Sequence, residues 1–204
     1  MVFGLGLLSK RRNERMERVR AVYDLLVAQA RHPVFYTDYN VPDTLTGRFD
    51  MIVLHAFLFF ERLKEEDAQA RAFGQDVFDA FIDDMDGSLR EMGVGYQAVP
   101  KRMKKMGEAF YGRIAAYDKA ITSGDKAALT DSLERNIFAD VSTDLAPNLA
   151  KPAALADYVL HSVHLLHQIP VSALYMAKIA FPDPSEFLPK KDQSNSHEGA
   201  PDER

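Results

Sequence analysis

The chain has 204 residues, 47% of them apolar, no cysteine and a formal net charge of −5. That length suits one domain with a substantial core. The lack of cysteine removes disulfides, thiolate nucleophiles and sulfur-based zinc sites, and the acidic balance argues against nucleic acid as a partner.

Charge is unevenly placed, with residues 1–20 holding six cations against Glu14 and Glu17, net +4. Phe3, Leu5, Leu7 and Leu8 form a short apolar tip ahead of Lys10, Arg11 and Arg12. A secretory signal carries its cations before the apolar stretch, and a spanning helix needs about 20 apolar residues. Residues 1–12 therefore read either as a frayed terminus or as a flexible segment resting on an anionic membrane surface.

Helical periodicity dominates the chain beyond this segment. Met16, Val19, Val22 and Leu26 mark one stripe; Phe73, Val77, Phe81, Met85, Leu89 and Met92 a second; Met103, Met106, Phe110, Ile114, Tyr117 and Ile121 a third. Gly93 is placed to end one helix and Pro100 to open the next; Ser123-Gly124-Asp125 reads as a break followed by an N-cap, and Pro152 as another opening. The pattern predicts helices over 10–31, 47–66, 69–92, 100–122, 125–139 and 152–169, with a shorter one near 171–180. No run alternates with period two, so no substantial sheet is expected. The fold class is all-α: a single-domain bundle of about six to seven helices over 13–184. Proline and polar residues predict a disordered tail over 185–204.

Catalytic chemistry is missing. No glutamate has a histidine three residues on, and HExxH, GxSxG and P-loop motifs are absent, so no catalytic residue, metal or cofactor is expected. His161, His164 and His167 lie on one helix face, opposite the stripe of Leu155, Val159, Val163 and Leu166. Such histidines are usually exposed and bonded to water, and a haem-handling role for them ranks third among the readings.

Two segments hold residues that a plain bundle does not need. In Phe35–Leu63, Phe35, Tyr36 and Tyr39 precede Val41-Pro42-Asp43 in a connection of roughly 15 residues, long for a bundle. These aromatics either pin the loop to the core or form a patch for a partner. Arg48 and Asp50 are placed to fix it by a salt bridge. In Asp84–Arg113, acids (Asp83, Asp84, Asp86, Glu91) and Arg90 precede the cations Lys101, Arg102, Lys104 and Lys105. The cations occupy the first turns of a helix, where the macrodipole disfavours them. They read as a solvated face paired with Asp83, Asp84 and Asp86, or as a site for an acidic partner or lipid headgroups. The apolar run Met51–Phe60 reads as a buried helix, with lining a cavity for a lipid or quinone as the alternative.

FYTDYNVPDTLTGRFDMIVLHAFLFFERL, DMDGSLREMGVG and KRMKKMGEAFYGRIAAYDKA together resemble the ubiquinol–cytochrome c chaperone family, from about Val19 to Pro184. The resemblance implies an all-helical, non-enzymatic assembly factor for the cytochrome bc1 complex, respiratory complex III. Its partners would be newly made cytochrome b and, as in mitochondrial relatives, a small helper protein near the ribosome. With no long presequence, the chain looks like a bacterial member at the cytoplasmic face of the inner membrane. Candidate client or partner residues are Phe35, Tyr36, Tyr39, Asp43, Arg48, Asp84, Asp86, Arg90, Glu91, Lys101, Arg102, Lys104 and Lys105. A client's cationic cytoplasmic loops would suit the acids. Met85, Met92, Met103 and Met106 read as core first, and otherwise as adaptable contacts.

Overall fold

The computed structural model describes residues 3–139 and 151–189, with side chains from Lys10 onward. The helices are α1 (Phe3–Ala30), α2 (Pro33–Thr37), α3 (Leu45–Leu63), α4 (Ala68–Glu91), α5 (Val99–Thr122), α6 (Lys126–Ile137), α7 (Pro152–His167) and α8 (Val171–Leu174), with a 3-10 turn at Pro184–Phe187 after them. No strand occurs among the described residues, in keeping with the all-α class.

Helix α3 is the axis of the molecule. Every residue from Met51 to Phe59 is buried, so the helix is apolar all round and neighbours enclose it. Phe49 stacks on Phe81 and Phe60 meets Phe78, which sets α4 antiparallel to α3. Arg15 pairs with Asp76 and Tyr23 donates to Asp84, so α1 runs parallel to α4. The inner face of α1 is Val19, Val22, Tyr23, Leu26 and Ala30, while Met16, expected to begin that stripe, is half exposed.

Helix ends obey local chemistry. Thr44, Asp67 and Asp125 cap α3, α4 and α6 by accepting the backbone N–H of Gly47, Ala70 and Ala128. Gly93 and Gly124 have positive φ and close Schellman turns, through Val94 N–H to Leu89 O and Asp125 N–H to Ala120 O. Helix α7 ends differently: the Arg62 guanidinium, on α3, donates to the carbonyls of Leu166 and Ile169 at 2.9 Å each. A cation from another element thus adds a donor to Leu166 O, which also accepts the Ile169 N–H, and ties the chain just past the helix C-terminus to α3.

Three expectations change. The roughly 15-residue connection contains α2, opened by Pro33 and closed by Asn40 at φ 60°. The helix near 171–180 stops at Leu174, because Ala177 takes φ 54° and its turn carries Lys178 N–H to Ala173 O. Packing against the core also reaches Leu188, past the boundary that composition gave. Pro184 is buried, and the Phe187 ring lies 5.9 Å from Tyr158 and 5.4 Å from His161. The remainder of the expected tail, 190–204, lies outside the described residues.

Candidate functional site

Between α3, α4 and α5 lies a solvent-open groove of about 730 Å³. Its apolar lining comes from Phe57 and Phe60 on α3, Phe78 on α4, and Phe110, Tyr111 and Ile114 on α5. The sequence explains the position. Phe78 and Tyr111 each sit one residue past a stripe position, Val77 and Phe110, so both turn toward the edge of the core. Tyr111 is 62% exposed. Its ring stands edge-on to Phe110 at 5.4 Å and tilted against Phe78 at 6.2 Å. Gly74 allows α4 to lie close on α3, since an added Cβ would meet Leu63 Cδ1 at 3.2 Å.

Rim charges are already engaged. Lys64 pairs with Asp118 at 2.7 Å, Glu61 with His167 at 2.9 Å, and the Arg71 guanidinium donates to the Glu66 carbonyl. The groove thus offers aromatic surface without calling for a charged ligand. Helix α5 is held against α3 by a buried ion pair, Arg113 to Asp50 at 2.9 Å.

Of the aromatics expected either to pin the connection to the core or to form a partner patch, Phe35 and Tyr39 do the first. Phe35 and Tyr39, four apart across α2, face inward and are fully buried. Phe35 packs edge-on against Tyr158 and His55, and the Tyr39 hydroxyl donates to Pro184 O at 2.7 Å. These two side chains anchor the segment and present nothing to a partner. Tyr36 is half-buried, donates to Ala30 O, and burial raises its pKa to about 12. Beneath them His55 is enclosed. Its Nδ1 lies 2.8 Å from Met51 O and its Nε2 2.9 Å from the Tyr158 hydroxyl. Desolvation lowers its pKa to about 4, so the ring is neutral, donating at Nδ1 and accepting at Nε2.

Arg48 pairs with Asp43 at 2.6 Å rather than with Asp50, whose partner is Arg113; the bond from Arg48 holds the Asp43 carboxyl below its usual range. The acid-to-base segment also pairs differently from expectation. Asp84 accepts from Tyr23, Asp86 binds Arg90, and no ion pair links Asp83, Asp84 or Asp86 to the α5 cations among the described residues. Lys101, Arg102, Lys104, Lys105 and Glu91 are exposed. Met85 is core, Met103 and Met106 are partly buried, and Met92 is about half exposed.

Lys10, Arg11 and Arg12 are exposed on α1, which already begins at Phe3; the side chains of Phe3, Leu5, Leu7 and Leu8 lie outside the described residues. His161 packs on Phe187, His164 bonds Gln168 and His167 bonds Glu61, and no metal-holding cluster occurs among the described residues. No described helix is long and apolar enough to cross a membrane. Sequence reasoning missed the groove, the Asp50–Arg113 pair and the Arg62 cap; only Phe78 and Tyr111, aromatics adjacent to a stripe, signalled the first.

Residues 37–181 match the family described as ubiquinol-cytochrome C chaperone. Ubiquinol-cytochrome-c reductase complex assembly factor 1 of Xenopus laevis is 27% identical over 145 residues, 71% of this chain and 70% of that protein. The Homo sapiens assembly factor 1 is 27% identical over 117 residues, 57% of this chain but 39% of its own length. The crystal structure of the Cbp3 homolog from Brucella abortus superposes with TM-score 0.78 at 38% identity, covering 89% of this chain and 98% of that one. The chain belongs to the ubiquinol-cytochrome C chaperone family.

Proposed function

We propose that this protein is a non-enzymatic assembly chaperone for the ubiquinol–cytochrome c reductase complex that holds newly made cytochrome b. The observation that carries the reading is the aromatic groove between α3, α4 and α5, on a scaffold of this family. Its rim charges already have hydrogen-bond partners within the chain, so it suits an uncharged, apolar occupant: the face of a client helix laid across it. Enzymatic chemistry has no support in the motifs, and the protein works at the membrane face where its client inserts. A helper protein or the ribosome would meet other surfaces.

A second reading rests on the groove's size, which is within the range of small-molecule sites. A lipid or quinone tail would fit the same lining, although of the Met51–Phe60 run only Phe57 and Phe60 reach it.

A photo-crosslinker in place of Tyr111 or Phe78, with one at exposed Asp131 as control, tests both readings during cytochrome b synthesis. Adducts to cytochrome b from the groove positions alone, with loss of bc1 activity on gene deletion, support the chaperone. Normal bc1 activity in the deletion overturns it. Lipid or quinone co-purifying in place of client adducts favours the second.

A further inference from the structure

The α4–α5 tip joins exposed apolar side chains to a cluster of cations in an otherwise acidic part of the chain. Phe49 on Phe81 places the start of α3 near residue 85 of α4, so the last turns of α4 run past α3. Beyond that point Leu89 and Val99 are buried but lie outside the continuous core. Met92 and Tyr96 stand 48% and 79% exposed on the connecting loop. The Arg90 guanidinium lies 5.5 Å from the Tyr96 ring centroid, holding a cation against an exposed aromatic face.

Charge divides at the same boundary. Residues 90–105 hold Arg90, Lys101, Arg102, Lys104 and Lys105 against Glu91, net +4 in a chain of net −5. Lys101, Arg102, Lys104 and Lys105 are exposed, and among the described residues the one ion pair any of them makes is Lys104 with Glu108 at 3.9 Å. Of the α4 acids, Asp76 meets Arg15 and Asp84 meets Tyr23 behind the tip, while Asp86 binds Arg90 and Glu91 stands exposed at the tip itself. Helix α5 has Ala98 at its N-cap and so no side-chain cap, unlike α3, α4 and α6. The positive end of its dipole and its cations therefore point the same way.

We propose that the α4–α5 tip docks on an anionic phospholipid membrane, with Met92 and Tyr96 entering the headgroup region and Lys101, Arg102, Lys104 and Lys105 meeting lipid phosphates. Methionine gains from apolar insertion and tyrosine from the interface, a combination that suits a membrane better than RNA. The Ala98 and Val99 N–H groups already bond Gly95 O and Pro100 has none, so a phosphate would meet the side-chain cations and the positive end of the dipole rather than a row of free N–H groups. This contact lies at the opposite end of the α1–α4 pair from the N-terminal residues, since α1 and α4 run parallel. A chaperone for a membrane-inserted client, as proposed above, needs such a contact, and lipid binding by the purified protein is testable whatever its client.

The chain contains no tryptophan, so Tyr96→Trp gives a single reporter. Full-length Tyr96→Trp protein is mixed with phosphatidylcholine vesicles with or without phosphatidylglycerol. A blue shift with the anionic vesicles alone, reduced by salt, is expected. Changing Lys101, Arg102, Lys104 and Lys105 to glutamine should weaken co-sedimentation with these vesicles at least about tenfold. Met92→Ser with Tyr96→Ser should weaken it too, with the circular dichroism melting curve unchanged in each case. Arg11→Gln with Arg12→Gln should leave binding largely intact. An unshifted reporter, binding lost with the Arg11/Arg12 pair but not with the α5 set, or an α5 patch that binds RNA and not vesicles would overturn the proposal.

Discussion

Asp50 and Arg113 form a 2.9 Å ion pair with only 2% and 17% of their side chains exposed, joining α3 to α5. Removing one partner takes this pairing from the other charge in low dielectric, whereas replacing both removes charge and pairing together. Arg113→Met should therefore destabilise the fold by about 3 kcal/mol, and the double change with Asp50→Leu by clearly less. Urea denaturation of both variants checks this; equal losses would mean that the pair is not coupled.

Burial of His55 makes stability depend on pH. Its pKa is lowered from 6.5 to about 4 in the folded state, so between those values the unfolded chain binds a proton that the folded chain refuses. Stability is complete above about pH 6.5, falls as pH drops toward 4, and levels off below, with about 3 kcal/mol at stake. In His55→Phe that slope should disappear while overall stability falls, because Tyr158 loses the acceptor at 2.9 Å. Unfolding free energies measured across pH 4 to 7 for both proteins decide it.

The helices were legible because their signals are local: stripes at 3.6-residue spacing, and stops at Gly93 and Gly124 that close the turns glycine is suited to close. What was not legible depended on which elements meet. Asp50 lies two residues from Arg48, yet its partner is 63 positions away, across a helix packing that no periodicity encodes. Phe35 and Tyr39 resembled a partner patch because aromatics in a connection carry no burial label; α2 turned both inward. The proline-rich stretch after Phe181 had the composition of a tail, and only the acceptor it offers Tyr39 and the packing of Phe187 place it in the fold.

That docking can be measured by truncation. Ending the chain after Pro182 removes the Pro184 carbonyl, leaving the buried Tyr39 hydroxyl without its 2.7 Å acceptor, and removes Phe187 from Tyr158. Compared with a chain ended after Pro189, it should be less stable by about 3 kcal/mol. Equal melting temperatures would mean that the segment packs without stabilising.

Glycine positions separate by what surrounds them. A Cβ on Gly47 would lie 2.1 Å from the Pro42 carbonyl oxygen, a backbone atom that cannot swing aside. Gly47→Ala should cost about 3 kcal/mol. Gly112, inside α5 with nothing within 4 Å of an added Cβ, should instead gain roughly 0.5–1 kcal/mol as alanine. At Ala177, φ 54° carries a Cβ penalty, so Ala177→Gly should gain about 1 kcal/mol. Chemical denaturation of the three variants tests all three signs.

The groove makes the sharpest separation of function from stability. Tyr111 is exposed, and Ala115, one turn further along α5, is exposed beside it on the same wall. Tyr111→Glu with Ala115→Glu would place two carboxylates over aromatic surface that an apolar client helix must cover. Burying them unpaired on binding costs several kcal/mol, whereas in the free protein they stay in water. The variant should melt as the parent does and lose at least about tenfold in client capture, the scale of a central interface residue. Conservative Tyr111→Phe should keep capture. If the double variant assembles bc1 complex at the parental rate, client binding belongs to another face of the bundle.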